Sequence, residues 1–261
     1  MLSTAAEDQP LGIQILGCEE KYILKALDVL RSYKFDIMDF NAACPAKKVV
    51  RRGEGAALLK DPKKLNKILK LVVKNSKIPV TVKMRLGWDK DSINAREAAL
   101  YAQDAGVSAV FIHGRTKTQE YGGNVDYAVI AKVKQALSIP VIASGDVFSG
   151  ELAKKMLSET NCDGLVIARG SFGNPWIFKE IKQFLKTGKV IPLPARAKVI
   201  KIMLEHLDAS VSFYEERNGV ILFRKFFAWY TKGIRNIRPL REKSSRVKTR
   251  LEMETLINSL L

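Results

Sequence analysis

Six consecutive strand–helix pairs are the feature that most constrains the fold of this 261-residue chain. The first pair is the apolar run LGIQIL at 11–16, followed over 19–33 by apolar residues at helical spacing. Apolar strands that alternate with amphipathic helices form parallel sheets covered by helices, so the pattern predicts an α/β protein, either doubly wound or closed as a barrel. The other predicted strands are 35–40, 79–84, 109–113, 140–144 and 164–168, with helices at 61–75, 92–105, 126–137, 149–159 and 174–187.

Polar residues at the strand ends favour the barrel. In a barrel the carboxyl ends of all strands meet at one mouth, whereas a doubly wound sheet uses only the ends near its switch point. A complete barrel has eight units and the sequence contains six, so we predict a TIM-type (β/α)8 barrel that is N-terminally truncated to about six units. The strand ends carry Asn41 and Cys44, Lys83 and Arg85, His113 and Arg115, Gly145 and Asp146, and Arg169 and Gly170.

The pattern changes after Gly188. The segment VIPLP at 190–194 is a proline-punctuated linker, and only helical patterns follow it, at 195–215, 218–233 and 243–260. We therefore predict two domains, a partial barrel at 1–188 and an all-helical domain at 195–261. Most aromatic residues of this tail are expected to form its core, and the basic run from Lys232 to Arg250 is expected to face RNA.

The charge balance limits the partners. The chain has 44 lysines and arginines against 27 acidic residues, a net charge of +17, which favours a polyanionic partner, nucleic acid before anionic membrane, over a merely basic protein. The N-terminus MLSTAAEDQP lacks the basic and apolar segments of a signal peptide, and no run approaches the roughly 18 apolar residues of a membrane span. Three cysteines without a CxxC pair fit a reducing cytoplasm, with Cys18 and Cys162 structural. We expect a cytoplasmic monomer without a metal or membrane partner.

One stretch, 35–61, places a thiol beside cations. Cys44 lies just beyond a strand end, and a sharply basic segment follows it. A reactive group at the barrel rim with phosphate-binding side chains next to it is one interpretation. A buried turn of small residues followed by a solvated basic loop is the other. The basic segment contains Lys47, Lys48, Arg51 and Arg52.

Five motifs, in this order and spacing, resemble the flavin-dependent tRNA-dihydrouridine synthases, most closely their bacterial B-type branch. They are NAACPAKKVVRRGEGAALL, VKMRLGW, FIHGRT, IPVIASGDVFS and LVIARGSFGNPWIF. The resemblance is dense over 11–185 and looser through the tail. It implies an FMN at the barrel mouth, NADPH or NADH as electron donor, and a tRNA clasped by both domains. The family's opening Pro-Met-Ala-Gly motif does not occur here and Gln14 matches its third strand, so the resemblance implies that the first two units are missing and that Met1 is an internal start.

The resemblance also implies roles for individual residues. FMN N5 would give a hydride to C6 of a uridine, and Cys44 would give a proton to C5. A thiol ordinarily holds its proton at neutral pH, although neighbouring cations favour the thiolate. The implied flavin-binding residues are Gln14, Lys83, His113, Ser144, Gly145, Asp146, Ala168 and Arg169. Asn41 and Arg85 would hold the flipped uracil, and Lys47, Lys48, Arg51, Arg52 and Arg115 would face tRNA.

Three residues depart from the family pattern, which has glycine at Ala43, asparagine at Ser144 and glycine at Ala168. Ala43 would restrict the turn before Cys44 if that turn needs a positive φ. Two other functions stay open. A dihydroorotate dehydrogenase-like flavin barrel acting on a small molecule is disfavoured by the charge of +17, and a non-catalytic tRNA-binding fragment is compatible with the same motifs.

Overall fold

A computed structural model describes residues 8–260. Residues 1–7, to which the predictions of an internal start and of an absent signal peptide refer, lie outside the described residues. Contacts divide the chain into two compact units, one of 1–147 and 152–167, the other of 148–151 and 168–261. The predicted domains 1–188 and 195–261 stay a prediction, because a grouping by contacts does not establish which segments fold independently.

The first unit is built on six parallel strands. Each strand pairs with the next one along the chain, so the sheet has the order β1 to β6 without a reversal. A doubly wound sheet would reverse its order at a switch point, whereas this order is consistent with a TIM-type barrel. The predicted fold class is confirmed. The strands are β1 (Gly12–Ile15), β2 (Ile37–Ala42), β3 (Val80–Arg85), β4 (Ala109–His113), β5 (Val141–Ser144) and β6 (Gly164–Val166).

The six predicted helices between strands and after β6 are present, with two short helical additions after Cys44. A single helical turn and a 3-10 helix (Gly55–Lys60) occupy the region for which a solvated basic loop was one of two interpretations. Asp61 explains where the long third helix begins, since its carboxylate accepts from the Lys64 N–H and Pro62 follows at the first helical position. The helices are α1 (Glu20–Leu30), α2 (Lys47–Val50), α3 (Pro62–Asn75), α4 (Ala95–Asp104), α5 (Tyr127–Ala136), α6 (Gly150–Thr160) and α7 (Ile177–Thr187).

The two faces of the sheet differ in polarity. In β2, Met38 and Phe40 are buried, whereas the alternate residues Asp39 and Asn41 are only partly buried. Alternate residues of a strand point to opposite faces, so the apolar set lies on the helix-covered side and the polar set on the other. The same alternation continues in β3 and β4, where Val80, Val82, Met84, Val110 and Ile112 are buried.

The second unit contains an aromatic core. Phe223 and Phe227 have no exposed surface, and Phe226 and Tyr230 pack against their cluster, as the sequence predicted for most tail aromatics. Phe213 is an exception, with 63% of its surface exposed. Besides α7, the helices of this unit are α8 (Arg196–Tyr214), α9 (Glu216–Tyr230), α10 (Arg238–Ser244) and α11 (Arg250–Asn258).

The prediction of one helix over 243–260 was wrong, because a capping box divides the segment. The Thr249 hydroxyl accepts from the Glu252 N–H, and the Glu252 carboxylate accepts from the Thr249 N–H, so a new helix begins there. Arg224 and Arg241 donate to backbone carbonyls of the same unit, at Val247 and Ala228, and so stabilise the fold. The RNA-facing role of the remaining exposed cations stays a prediction.

Within residues 8–260, no helix combines the length and the apolar character needed to cross a membrane.

Candidate active site

The polar face of the first unit gathers most of the predicted site residues. The parallel register aligns Asn41 with Lys83, and Arg85 with His113, which aligns in turn with Ser144. These positions alternate with the buried apolar ones, so their side chains lie on one face near the carboxyl ends of the strands. This is the end of a parallel barrel at which active sites occur.

A chain of hydrogen bonds connects three of these strands to the cysteine loop. The Asp39 carboxylate accepts from the Gln14 amide at 2.6 Å and from the Thr81 hydroxyl at 2.7 Å. The Gln14 carbonyl oxygen accepts from the Asn41 amide at 2.7 Å. The Asn41 Oδ1 is therefore left to accept from the backbone N–H of Cys44, at 2.9 Å. Asp39 thus determines, through two amides, which atom of Asn41 faces the loop.

The loop around Cys44 is held on both sides. Asn41 Oδ1 also accepts from the Ala43 N–H at 3.0 Å, and the Cys44 carbonyl accepts from the Ala56 N–H at 3.1 Å. A Cβ on Gly55, whose φ is +59°, would lie 2.8 Å from the Cys44 carbonyl oxygen. Ala43 is not one of the positive-φ residues of the described chain, so alanine fits there and the expected restriction does not arise. Cys44 itself is partly exposed.

The four cations that follow Cys44 are all exposed. Lys47 and Lys48 lie on α2, and Arg51 and Arg52 follow directly. Arg52 forms an ion pair with Glu54 at 2.8 Å, but its own side chain stays largely exposed. The basic segment is therefore accessible to a polyanion next to the thiol.

Lys83 carries an ammonium group into the polar face, with the Ser144 hydroxyl 3.5 Å away. Burial lowers the pKa of Lys83, the negative charge of Asp39 opposes this shift, and Arg85 adds to it. Ser144 donates its own proton to the Ile112 carbonyl at 3.2 Å and so offers Lys83 an oxygen. A buried ammonium with one long hydrogen bond is costly unless another group pairs with it.

His113 is a neutral imidazole beside these cations. Burial lowers its pKa to about 3, and the charges of Arg85, Lys83 and Arg115 act in the same direction. Its Nε2 is buried without a hydrogen-bond partner among the described residues. A lone histidine is often structural, but a buried ring nitrogen without a partner is rare in folded proteins, which makes this nitrogen a candidate contact for a polar ligand.

Arg85 and Arg115 bind the backbone of the loop that follows β4. Arg85 is 2% exposed and donates to the Thr116 carbonyl at 2.9 Å, the Glu120 carbonyl at 2.8 Å and the Ala43 carbonyl at 2.8 Å. It therefore connects this loop to the cysteine loop. That Arg85 holds the flipped uracil stays a prediction. Its hydrogen bonds show that it also holds two loops of the protein together.

Arg115 is 1% exposed. It donates to the Gly122 carbonyl at 2.8 Å and the Gly123 carbonyl at 2.6 Å, and pairs with the Asp146 carboxylate. Its Nη1 is buried and has no hydrogen-bond partner in the described part of the chain. The contacts of this guanidinium are made within the protein, where they hold the loop that follows β4. Its contact with tRNA stays a prediction.

The turn after β5 requires glycine. Gly145 has a φ of +135°, and a Cβ there would lie 2.8 Å from a Val125 methyl and 3.3 Å from the His113 ring. Asp146 follows with a φ of +52°. The turn therefore brings the backbone close to His113.

In the other unit, Ala168 precedes a 3-10 turn over Arg169–Ser171, and the Arg169 guanidinium lies 5.9 Å from the centre of the Phe148 ring.

Sequence reasoning missed Asp39, Thr81 and Tyr121. Asp39 could have been found, because it lies two residues before Asn41 and must share its face of the strand. Tyr121 is 56% exposed, with its ring centre 6.4 Å from that of His113 and 5.7 Å from the Arg85 guanidinium. No sequence pattern signals this position. The loop that carries Tyr121 is held by hydrogen bonds from Arg85 and Arg115 to its backbone carbonyls, and these bonds form only in the folded protein. Over residues 8–260, no group of three or more metal-binding side chains occurs.

The depressed pKa of His113 predicts a loss of stability in acid. The unfolded chain protonates His113 near pH 6.5, whereas the folded protein keeps it neutral down to about 3. The unfolded state therefore binds more protons between these values, so the free energy of unfolding falls as the pH falls below 6.5. The free energy of unfolding can be measured with urea at about pH 7 and at about pH 4.5. On going to the lower pH, we expect His113→Gln to lose about 2 kcal/mol less of this free energy than the native protein loses. Equal losses would contradict the buried neutral state.

Residues 1–260 match the protein family described as Dihydrouridine synthase (Dus). The tRNA-dihydrouridine synthase B of Xanthomonas axonopodis is 42% identical over 228 residues, which are 87% of this chain and 69% of that protein. The enzyme of the same name from Pseudomonas syringae is 41% identical over 244 residues, 94% of this chain and 72% of its own length. The enzyme of the same name from Pseudomonas aeruginosa is 40% identical over 242 residues, which are 93% of this chain and 73% of that protein.

Proposed function

The chain belongs to the dihydrouridine synthase family, and from this premise we propose that it is an FMN-dependent enzyme that reduces the C5–C6 bond of a D-loop uridine in tRNA. NADPH or NADH would be the electron donor, and the enzyme would act as a cytoplasmic monomer. The observation that carries the proposal is the hydrogen-bonded anchoring of Cys44 by Asn41, on the same face as Lys83 and His113.

The residues of the polar face suit a flavin. Two buried nitrogens, His113 Nε2 and Arg115 Nη1, have no hydrogen-bond partner within residues 8–260 and can bond to a polar ligand. Bound FMN would supply the hydride for C6 of the uridine. Gln14, Lys83 and His113 would hold its ring, and Ser144, Gly145 and Asp146 would hold its phosphate. The flavin-binding roles of Ala168 and Arg169, which belong to the second unit, stay predictions.

Lys83 would stabilise an electron-rich ring through its positive charge. Burial and the charge of Arg85 lower the pKa of Lys83, and the Asp39 carboxylate opposes that shift. Asp39 would therefore help Lys83 to keep its proton while it also orients Gln14. We assign Asp39 a positioning role on this basis.

Cys44 would donate the proton to C5. The Asn41 bond to its backbone N–H fixes the thiol at the strand end without engaging the sulfur. A uracil must leave the base stack to reach this face. Arg85 and Asn41 would hold the flipped base, the Tyr121 ring offers it a stacking surface, and Lys47, Lys48, Arg51 and Arg52 would bind flanking phosphates.

The visible absorption spectrum of the purified chain is the first test. We expect a flavin band, either as purified or after FMN is added, and dihydrouridine formation in a tRNA transcript when NADPH is supplied. A matched reaction without nicotinamide nucleotide should give none. No flavin band after FMN is added would contradict the proposal, and tRNA binding without a band would favour the non-catalytic fragment.

A further inference from the structure

The outer face of α3 carries a row of lysines that the proposed chemistry does not use. Lys63, Lys67, Lys70 and Lys74, here the α3 lysine row, are spaced by four, three and four residues and are all exposed. At 3.6 residues per turn and 1.5 Å per residue, this spacing forms one stripe about 16 Å long.

The row is unfavourable for an isolated helix. Like charges at i and i+4 destabilise a helix, and the first turn of α3 has no acidic residue, although acids are favoured there. Among the described residues, only Lys70 of the row forms an ion pair, with Asp104 at 2.8 Å. A solvated face would normally mix both signs of charge.

The charge excess of the first unit lies in this segment. From Lys60 to Lys77 the chain has seven lysines and one acid, Asp61, which caps α3. The rest of the chain up to residue 167 has equal numbers of basic and acidic residues. The excess is therefore concentrated rather than spread over the surface.

The row begins close to the basic segment that follows Cys44. The Cys18 thiol donates to the Arg52 carbonyl at 3.0 Å, and the charges of Lys64 and Arg52 both act on that thiol. The amino-terminal turn of α3 and Arg52 therefore both lie near the Cys18 thiol. A polyanion bound at Arg51 and Arg52 could continue along the row.

We propose that the α3 lysine row is an RNA-binding surface that contacts the phosphate backbone of the tRNA away from the reduced base. The choice of tRNA rests on the proposed function. An anionic membrane fits less well, because membrane-surface helices insert apolar side chains and those of α3 are buried in the unit. The buried apolar residues are Leu65, Ile68, Leu69 and Val72.

A triple variant, K63Q/K67Q/K74Q, tests the proposal, with Lys70 kept because of its ion pair. The matched control, K25Q/K132Q/K154Q, removes the same charge from exposed lysines of three other helices. Binding to a fluorescent unmodified tRNA transcript is measured by anisotropy at several KCl concentrations. We expect at least about tenfold weaker binding for the row variant and a salt slope shallower by about 2, since each phosphate contact adds roughly 0.7–0.9. The control should bind within about twofold of the native chain.

The possible results distinguish a failure of the lysine-row proposal from a failure of the proposed tRNA-modifying function. If the native chain binds tRNA and both triple variants weaken binding equally, only the net charge matters and the row proposal is overturned. If the native chain does not bind tRNA, the proposed function fails with it. A row variant that loses binding to phosphatidylserine vesicles but keeps tRNA binding would indicate a membrane surface instead. K63R/K67R/K74R should retain tRNA binding, which distinguishes lost contacts from misfolding.

Discussion

Replacement of Cys44 by alanine is expected to lower the rate of dihydrouridine formation by about 10²–10⁴-fold, the usual contribution of a general acid. The loop should keep its conformation, because Asn41 and Ala56 bond to the backbone of Cys44 and not to its sulfur. We therefore expect the flavin band to persist in Cys44→Ala. Single-turnover reduction of a tRNA transcript, measured by loss of uridine, provides the rate.

Cys18→Ala is the control for this experiment. Cys18 is also partly exposed and lies in the same unit, where its thiol bonds to the Arg52 carbonyl. It should retain the native rate within about threefold, because the backbone of Arg52 stays held by its own N–H, which donates to the Val49 carbonyl at 3.0 Å. A Cys44→Ala enzyme with native activity would exclude the thiol as the proton donor, whereas loss of the flavin band would indicate a damaged site.

Replacement of Arg115 by leucine is expected to lower the free energy of unfolding by about 3–5 kcal/mol, the cost of breaking a buried ion pair. The leucine would remove donors from the Gly122 and Gly123 carbonyls and the cation from Asp146. Asp146 already adopts a positive φ, which needs support from its surroundings. The loop that carries Tyr121 should then lose its order.

Urea unfolding at neutral pH measures this effect, with Arg96→Leu as the matched exposed control on α4. The control should change the free energy of unfolding by no more than about 0.5 kcal/mol. Arg115→Lys should recover only part of the loss, because lysine keeps the charge but not the planar fork of donors. A cost below about 1 kcal/mol for Arg115→Leu would mean that the carbonyls find other donors.

Local periodicity was sufficient for the six strands and the long helices of the first unit, but not for α2 and the 3-10 helix. The six strands and the helices between them follow from apolar spacing, and Asp61 and Pro62 marked the start of α3 in the sequence itself. The error at 243–260 was avoidable, since Thr249 and Glu252 form a recognisable capping pair. Strand-end positions likewise predicted that Asn41, Lys83 and His113 would share one face.

The sequence by itself determined the parallel α/β architecture, the family and the strand-end residues, because side-chain alternation and motif order are local properties. The tertiary structure decided how those residues are held. Only folding brings Asp39 to Gln14, and Arg85 to carbonyls more than thirty residues away, since such contacts join separate strands and loops. The lowered pKa of His113 likewise depends on the tertiary structure, because burial and neighbouring cations cause it.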